Sequence, residues 1–171
     1  RHGISVNNLS HHITTRGNFF DARLYADLAD PAAYTSHNQI GDECITFYRS
    51  ENNLSENDIG VSCEGIQATG SNNRIYGGIV LDSDFGFRSG ANCVAGQTCD
   101  LAVHFPTNNI IKDVLAIRSR IVGIDISSTS AHVEKATSVD SAIFNYAFRD
   151  FIHDTGFDTV ATIDDSVAMM T

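Results

Sequence analysis

Apolar positions in this chain recur in short alternating runs rather than in helical stripes. Six segments share one pattern, a small residue, an apolar one, a mostly polar one and usually another apolar one: Gly3-Ile4-Ser5-Val6, Cys44-Ile45-Thr46-Phe47, Gly65-Ile66-Gln67-Ala68, Gly86-Phe87-Arg88-Ser89, Gly123-Ile124-Asp125-Ile126 and Ala142-Ile143-Phe144-Asn145. Alternation of this kind is the period of a β-strand. The segments begin 41, 21, 21, 37 and 19 residues apart, a unit of about 20 residues with two longer gaps, and that spacing predicts solenoid coils with two insertions, 21–41 and 90–106.

A second apolar element follows each segment, at Ile13, Leu54, Ile75, Ile111, Val133 and Ile152, and a third follows at Ile79-Val80-Leu81, Val114-Leu115-Ala116-Ile117 and Thr137-Ser138-Val139. Asn52, Asn73 and Asn109 stand two positions before three of the second elements. Asparagines at one bend of successive coils, about 4.8 Å apart, hydrogen-bond along the stack and satisfy groups the turn would otherwise bury unpaired. A β-sandwich also spaces its strands about 8 to 12 residues apart, but it does not require asparagine in phase at successive bends. The sequence therefore predicts an all-β chain, a single solenoid domain of about six three-strand coils over residues 1–171. One helix-like stretch, Asp21 to Tyr34, has Leu24, Leu28 and Ala32 at helical spacing, Asp21 as N-cap and Pro31 as breaker, and is read as a short helix inside the first insertion.

Composition agrees with this picture. The 171 residues are 42% apolar and 19% charged, the range of globular chains, with 13 Gly and 13 Asn for tight turns but two Pro and no Trp. Eleven Lys+Arg against 21 Asp+Glu leave a net charge of −10, and the basic residues are scattered, which argues against nucleic acid as a partner. No apolar run reaches the roughly 18 to 20 residues of a membrane span, so membrane insertion is not expected.

With these coils the sequence resembles the right-handed parallel β-helix proteins of the pectin-lyase-like superfamily, over nearly its whole length. Arg1-His2-Gly3-Ile4-Ser5, Gly41-Asp42-Glu43-Cys44-Ile45, Cys63-Glu64-Gly65-Ile66 and Gly86-Phe87-Arg88-Ser89-Gly90 follow the order of the motif frame of polygalacturonase-type glycoside hydrolases. The catalytic letters are degenerate: His2 replaces the first Asp, Asp42-Glu43 keeps the second pair in kind, Glu64 replaces the His, and Arg88 is kept while Gly90 replaces the Lys. The resemblance implies Asp42 and Glu43 as acid or base, Arg88 as a substrate contact and a Cys44–Cys63 bridge. Carboxylates on adjacent coils approach to about 5 Å, close enough to separate their pKa values into an acid and a base, which adds Glu64 to the catalytic candidates and leaves His2 beside Arg88 as a substrate contact. At a bend the same carboxylates also serve simply to solubilise an acidic surface.

Cys44 and Cys63 lie near the starts of successive coils, within reach of a disulfide, while Cys93 and Cys99 bracket a loop short enough for a local bridge. Four cysteines that pair off point to an oxidising compartment, secreted or on the cell surface. Asn8-Leu9-Ser10 and Asn53-Leu54-Ser55 are glycosylation sequons, a weak signal. No metal site is predicted: neighbouring strand residues such as His11 and His12 point opposite ways, and no C-x-x-C occurs. Calcium is the one cofactor suggested, at the turn clusters Asp82-Ser83-Asp84 or Asp164-Asp165, which more often cap turns. Lys112, Arg118 and Arg120 form either a basic strip of the kind lyases use against uronates or ordinary ion pairs with nearby acids.

Two functions are expected from this pattern. The first is an extracellular polysaccharide-binding or polysaccharide-processing β-helix, of hydrolase, lyase or epimerase type, because a solenoid flank repeats its side chains at the spacing a linear glycan requires. The second is a structural or adhesive β-helix, a fibre, tailspike or filament subunit, since bare coil ends imply continuation of the solenoid beyond this excerpt, a homo-oligomer or end-to-end assembly.

Overall fold

A computed structural model describes residues 3–7, 10–22, 44–90, 106–128, 130–148 and 161–170, and these form a parallel β-helix of six coils in three six-stranded sheets. The first sheet holds β1 (Ile4–Asn7), β4 (Ile45–Tyr48), β7 (Ile66–Ala68), β10 (Phe85–Gly90), β13 (Val122–Ser127) and β16 (Phe144–Phe148) in that order. The second runs β2 (Thr14–Arg16), β5 (Leu54–Glu56), β8 (Arg74–Tyr76), β11 (Asn109–Lys112), β14 (Ala131–Glu134) and β17 (Ala161–Asp164). The third runs β3 (Phe19–Asp21), β6 (Ile59–Val61), β9 (Ile79–Leu81), β12 (Leu115–Ile117), β15 (Thr137–Val139) and β18 (Val167–Met169). Every pairing is parallel and in register, Ile4 on Ile45, Ile45 on Ile66 and Ile66 on Phe87.

Inward positions stack into one core. Ile45, Ile66, Phe87 and Ile124 from the first sheet meet Ile75, Ile111 and Val133 from the second and Val80 and Ala116 from the third, all fully buried. At roughly 1.5–3 kcal/mol per buried large aliphatic or aromatic side chain, this column is the main driving force for folding. The Cys44–Cys63 disulfide belongs to the same core. Gly60 faces it, and a Cβ there would stand 2.6 Å from the Cys44 sulfur, so only glycine fits beside the bridge.

The corners are as regular as the strands. His12, Asn52, Asn72 and Asn108 take positive φ at the first corner, Gly17, Asn57, Gly77, Asp113, Lys135 and Asp165 at the second, and Ser62, Asp82, Arg118 and Asp140 at the third. The residue after each first-corner Asn builds the ladder: Asn53 N–H donates to Asn73 Oδ1 at 2.9 Å, and Asn73 N–H to Asn109 Oδ1 at 2.8 Å. The expected ladder is thus present, with Asn53 rather than Asn52 as its member, because Asn52 supplies the left-handed turn (φ 57). Asn53 is buried and fully engaged, so its sequon is not a glycan acceptor. At the second corner the buried Asp58 carboxylate accepts from Thr15 Oγ1 (2.6 Å), Ser55 Oγ (2.8 Å) and both nitrogens of Asn18 (2.8 Å each).

Two phases of the repeat differ from the sequence expectation. Leu54 registers with Arg74 and not with Ile75, so Ser55 is the inward residue, held by Asp58. In the sixth coil Val122 pairs with Phe144, which shifts that strand past the expected Ala142 start. Apolar alternation alone does not fix phase where the inward position is polar. Asp21 lies in β3 instead of capping a helix, and Gly90 ends β10. The helix-like stretch beyond Ala22, the body of both insertions, and Ile152 lie outside the described residues.

Candidate functional site

The three outward faces of the solenoid have different chemistry. On the second sheet the outward row Arg16, Glu56, Tyr76, Lys112, Glu134 and Asp164 holds two ion pairs, Arg16 Nε 2.6 Å from Glu56 and Lys112 Nζ 2.9 Å from Glu134. On the third sheet the inward residues are the middle ones, Gly60, Val80, Ala116 and Ser138. Alternation therefore turns two apolar rows outward, Ile59, Ile79 and Leu115 in one, Leu81, Ile117 and Val139 in the other.

The first sheet differs from both. Its inward residues flank a row that points outward, Ser5, Thr46, Gln67, Arg88, Asp125 and Ala147 in register on successive coils. An outward polar row is ordinarily solvated, yet Thr46, Gln67 and Asp125 are buried at 1%, 3% and 0% exposure. All three long connections of the chain, 23–43, 91–105 and 149–160, open where the chain enters or leaves this sheet, between β3 and β4, β10 and β11, and β16 and β17.

Within the row, Arg88 and Asp125 form an ion pair, Nε to Oδ2 at 3.3 Å, with 17% and 0% of their side chains exposed. The Phe85 ring lies 5.0 Å from the guanidinium, a cation–π contact. Gly90 completes the bed: a Cβ on it would lie 2.7 Å from Arg88 Nε and 2.8 Å from Ser127 Oγ. Arg49, at the corner beyond β4, stacks its guanidinium 5.1 Å from the Tyr48 ring. Beside the ion pair, the Thr46 hydroxyl and the Gln67 amide nitrogen are buried without a hydrogen-bond partner. Such atoms cost about 1–3 kcal/mol each when left unmade, and a native structure that keeps them calls for an explanation.

The residues singled out in the sequence distribute unevenly over this site. Arg88 lies at its centre, and Glu64 enters the same sheet one coil earlier, half-buried, its carbonyl accepting Phe85 N–H at 3.1 Å. His2, Asp42, Glu43, Cys93 and Cys99 lie outside the described residues. Thr46, Gln67 and Asp125 belong to no motif in the sequence. The signal for them was present, since each occupies the polar position of the repeat that also holds Arg88.

Other candidates resolve elsewhere. Arg118 grips Asp82 with Nε and Nη2 at 2.7 and 2.9 Å, Arg120 holds Asp84 at 2.8 Å, and Lys112 holds Glu134, so the basic strip is a set of ion pairs. The Asp82 hydrogen bonds raise the pKa of Arg118. Asp82 and Asp84 are thereby engaged, and among the described residues no three His, Cys, Asp or Glu side chains converge to hold a metal ion. His11 and His12 do not point apart as strand neighbours would: their Nδ1 atoms lie 2.7 Å apart, because His12 turns the corner at φ 60.

The described residues contain no helix, and none that could cross a membrane. No family model matches the chain, and comparison with curated proteins and with solved structures gives no significant match.

Proposed function

We propose that this chain is an extracellular carbohydrate-binding β-helix that takes a linear polysaccharide along its flank. The observation that supports this reading is the parallel β-helix itself, three parallel sheets that repeat outward side chains coil after coil. These side chains repeat at strand spacing, about 4.8 Å, the kind of periodic flank a linear glycan requires. The Cys44–Cys63 disulfide fits an oxidising compartment. Glu64, with Asp42 and Glu43, provides the carboxylates from which a hydrolase, lyase or epimerase would draw its acid and base, and His2 would join Arg88 at the substrate. The test is retention of the purified chain on immobilised polysaccharides, followed by assay of reducing ends and unsaturated uronates with Asp42→Asn, Glu43→Gln and Glu64→Gln. Retention with products lost in the variants establishes processing; retention without products establishes a binding module; no retention on any polysaccharide refutes the reading.

A second reading has one observation of its own. The outward apolar rows of the third sheet, Ile79 and Leu115 beside Leu81 and Ile117, suit burial against a second copy in a fibre or filament. Sedimentation of wild type and of Ile79→Asp decides it: a particle larger than a monomer that the variant dissociates supports assembly through this face, and a monomeric wild type refutes it.

A further inference from the structure

We infer that His11 and His12 form a chelating site for a late first-row transition metal ion, copper(II) foremost, at the first corner of the first coil. This goes beyond the carbohydrate-binding reading and does not depend on it.

Two neighbouring residues on a strand cannot hold one ion, because their side chains leave on opposite faces. The corner removes that obstacle. His12 takes φ 60 where the chain turns, the place that Asn52, Asn72 and Asn108 fill on later coils, and the turn brings its ring to the side of His11. The two Nδ1 atoms stand 2.7 Å apart, with the rings nearly perpendicular at an interplanar angle of 89°. Both residues are exposed, so an ion reaches them from solvent without any change in the core.

At this separation one Nδ1 donates a proton to the other. A neutral imidazole carries its single proton on either nitrogen, so the donor ring can place it on Nε2 and leave two Nδ1 lone pairs side by side. With metal–nitrogen bonds of about 2.0–2.1 Å, two cis positions of a tetragonal ion lie about 2.9 Å apart and two positions of a tetrahedral ion about 3.3 Å. The observed separation is nearer the first, and small rotations of two exposed rings bring both lone pairs onto one ion. Imidazole nitrogen, tetragonal geometry and the affinity order of the divalent ions together select copper(II), with nickel(II) next. Calcium and magnesium take oxygen ligands and do not suit the pair.

The surroundings favour a cation. Glu51, also exposed, lies in register with His11 on the next coil, its backbone N–H donating to the Ser10 carbonyl at 3.1 Å. It borders the pair with a negative charge, and the net charge of −10 draws cations at longer range. Water completes the coordination.

The experiment is calorimetric titration of the whole, metal-free chain with copper(II), nickel(II), zinc(II) and calcium, with electron paramagnetic resonance of the copper form. Wild type is compared with His11→Gln, His12→Asn and His132→Gln. His12→Asn keeps the corner, since Asn52 and Asn72 hold the same place at φ 57, and removes only the imidazole. His132→Gln is the control, a histidine of the second sheet beside Glu134 and Asp164. Thermal unfolding without metal checks that every variant is folded. The expected result is one equivalent of copper(II) bound more tightly than nickel(II) or zinc(II), with a spectrum coupled to two imidazole nitrogens. Either pair variant should weaken it at least about tenfold, while His132→Gln and calcium change nothing. No copper binding, or binding that both pair variants leave intact, overturns the inference. Loss in only one of them, with a single coupled nitrogen, overturns the chelate, and tighter binding of zinc(II) than of copper(II) overturns the choice of metal.

Discussion

Asn73 holds Asn53 through two hydrogen bonds, its Oδ1 accepting the backbone N–H at 2.9 Å and the side-chain Nδ2–H at 3.0 Å. Its own Nδ2 donates to the Ser50 carbonyl at 2.9 Å, so one buried amide ties its own coil to both ends of the 50–53 corner on the preceding coil. Asn73→Ala leaves the Asn53 N–H and the Ser50 carbonyl unpaired in the interior, and is expected to cost about 2–4 kcal/mol. The neighbouring Asn72→Gly is the control: Asn72 sits at φ 57 on the surface, where glycine is at ease, and the change should stay below about 1 kcal/mol. Urea unfolding of both variants checks the contrast, and equal losses would show that the corner and not the ladder carries the stability.

The coil repeat was legible because apolar residues recur at about 20-residue spacing wherever the inward position is aliphatic, as at Ile45, Ile66, Phe87 and Ile124. It slipped at Leu54, where the inward place is taken by Ser55 under the Asp58 carboxylate, and at Asn52, where ladder and turn residue are adjacent and of the same type. His11 and His12 were misjudged for the same reason, since strand alternation fails at a left-handed corner. The site was only partly legible. Arg88 stood out through its motif, but Thr46 and Gln67 are ordinary residues whose burial depends on what surrounds an outward face, and no local pattern encodes that.

Arg88 and Asp125 form a nearly dry ion pair, and the two halves are not equivalent to remove. Asp125→Leu leaves the Arg88 guanidinium in a site that is 17% exposed without its carboxylate, and should cost about 3–5 kcal/mol. Arg88→Met combined with Asp125→Leu removes both charges and should recover most of that loss. A double-mutant cycle by chemical denaturation measures the coupling. Additive losses would mean that Asp125 is held mainly by other contacts.

The Cys44–Cys63 bridge closes a loop with a sequence separation of 19 residues, for which the loss of unfolded-state entropy is worth about 3 kcal/mol. Reduction, or Cys44→Ala with Cys63→Ala, should therefore lower the melting midpoint by several degrees without unfolding the strands. Gly60→Ala probes the packing independently, because its Cβ would stand 2.6 Å from the Cys44 sulfur and 3.2 Å from the Cys63 sulfur. In the oxidised protein this substitution should be destabilising, and in the Cys-free background it should cost less. The same penalty in both backgrounds would locate the clash elsewhere.

Lys112 and Glu134, on the outer face of the second sheet, make the stability of that face depend on pH in two opposite ways. Their hydrogen bond of 2.9 Å holds the Glu134 carboxyl below its ordinary 4.5 and raises Lys112 above its ordinary 10.5. For a lowered acid the contribution is complete above the unfolded value and disappears as pH falls through the folded one, so the advantage of wild type over Glu134→Gln should be present at neutral pH and fade below pH 4.5. For a raised base the order reverses: the advantage over Lys112→Met is complete below 10.5 and fades as pH rises through the raised value. Both partners are partly solvated, so concentrated salt should reduce the two differences at neutral pH. Urea midpoints across the pH range test this, and a difference that persists undiminished in strong acid would show that Glu134 acts through packing and not through its charge.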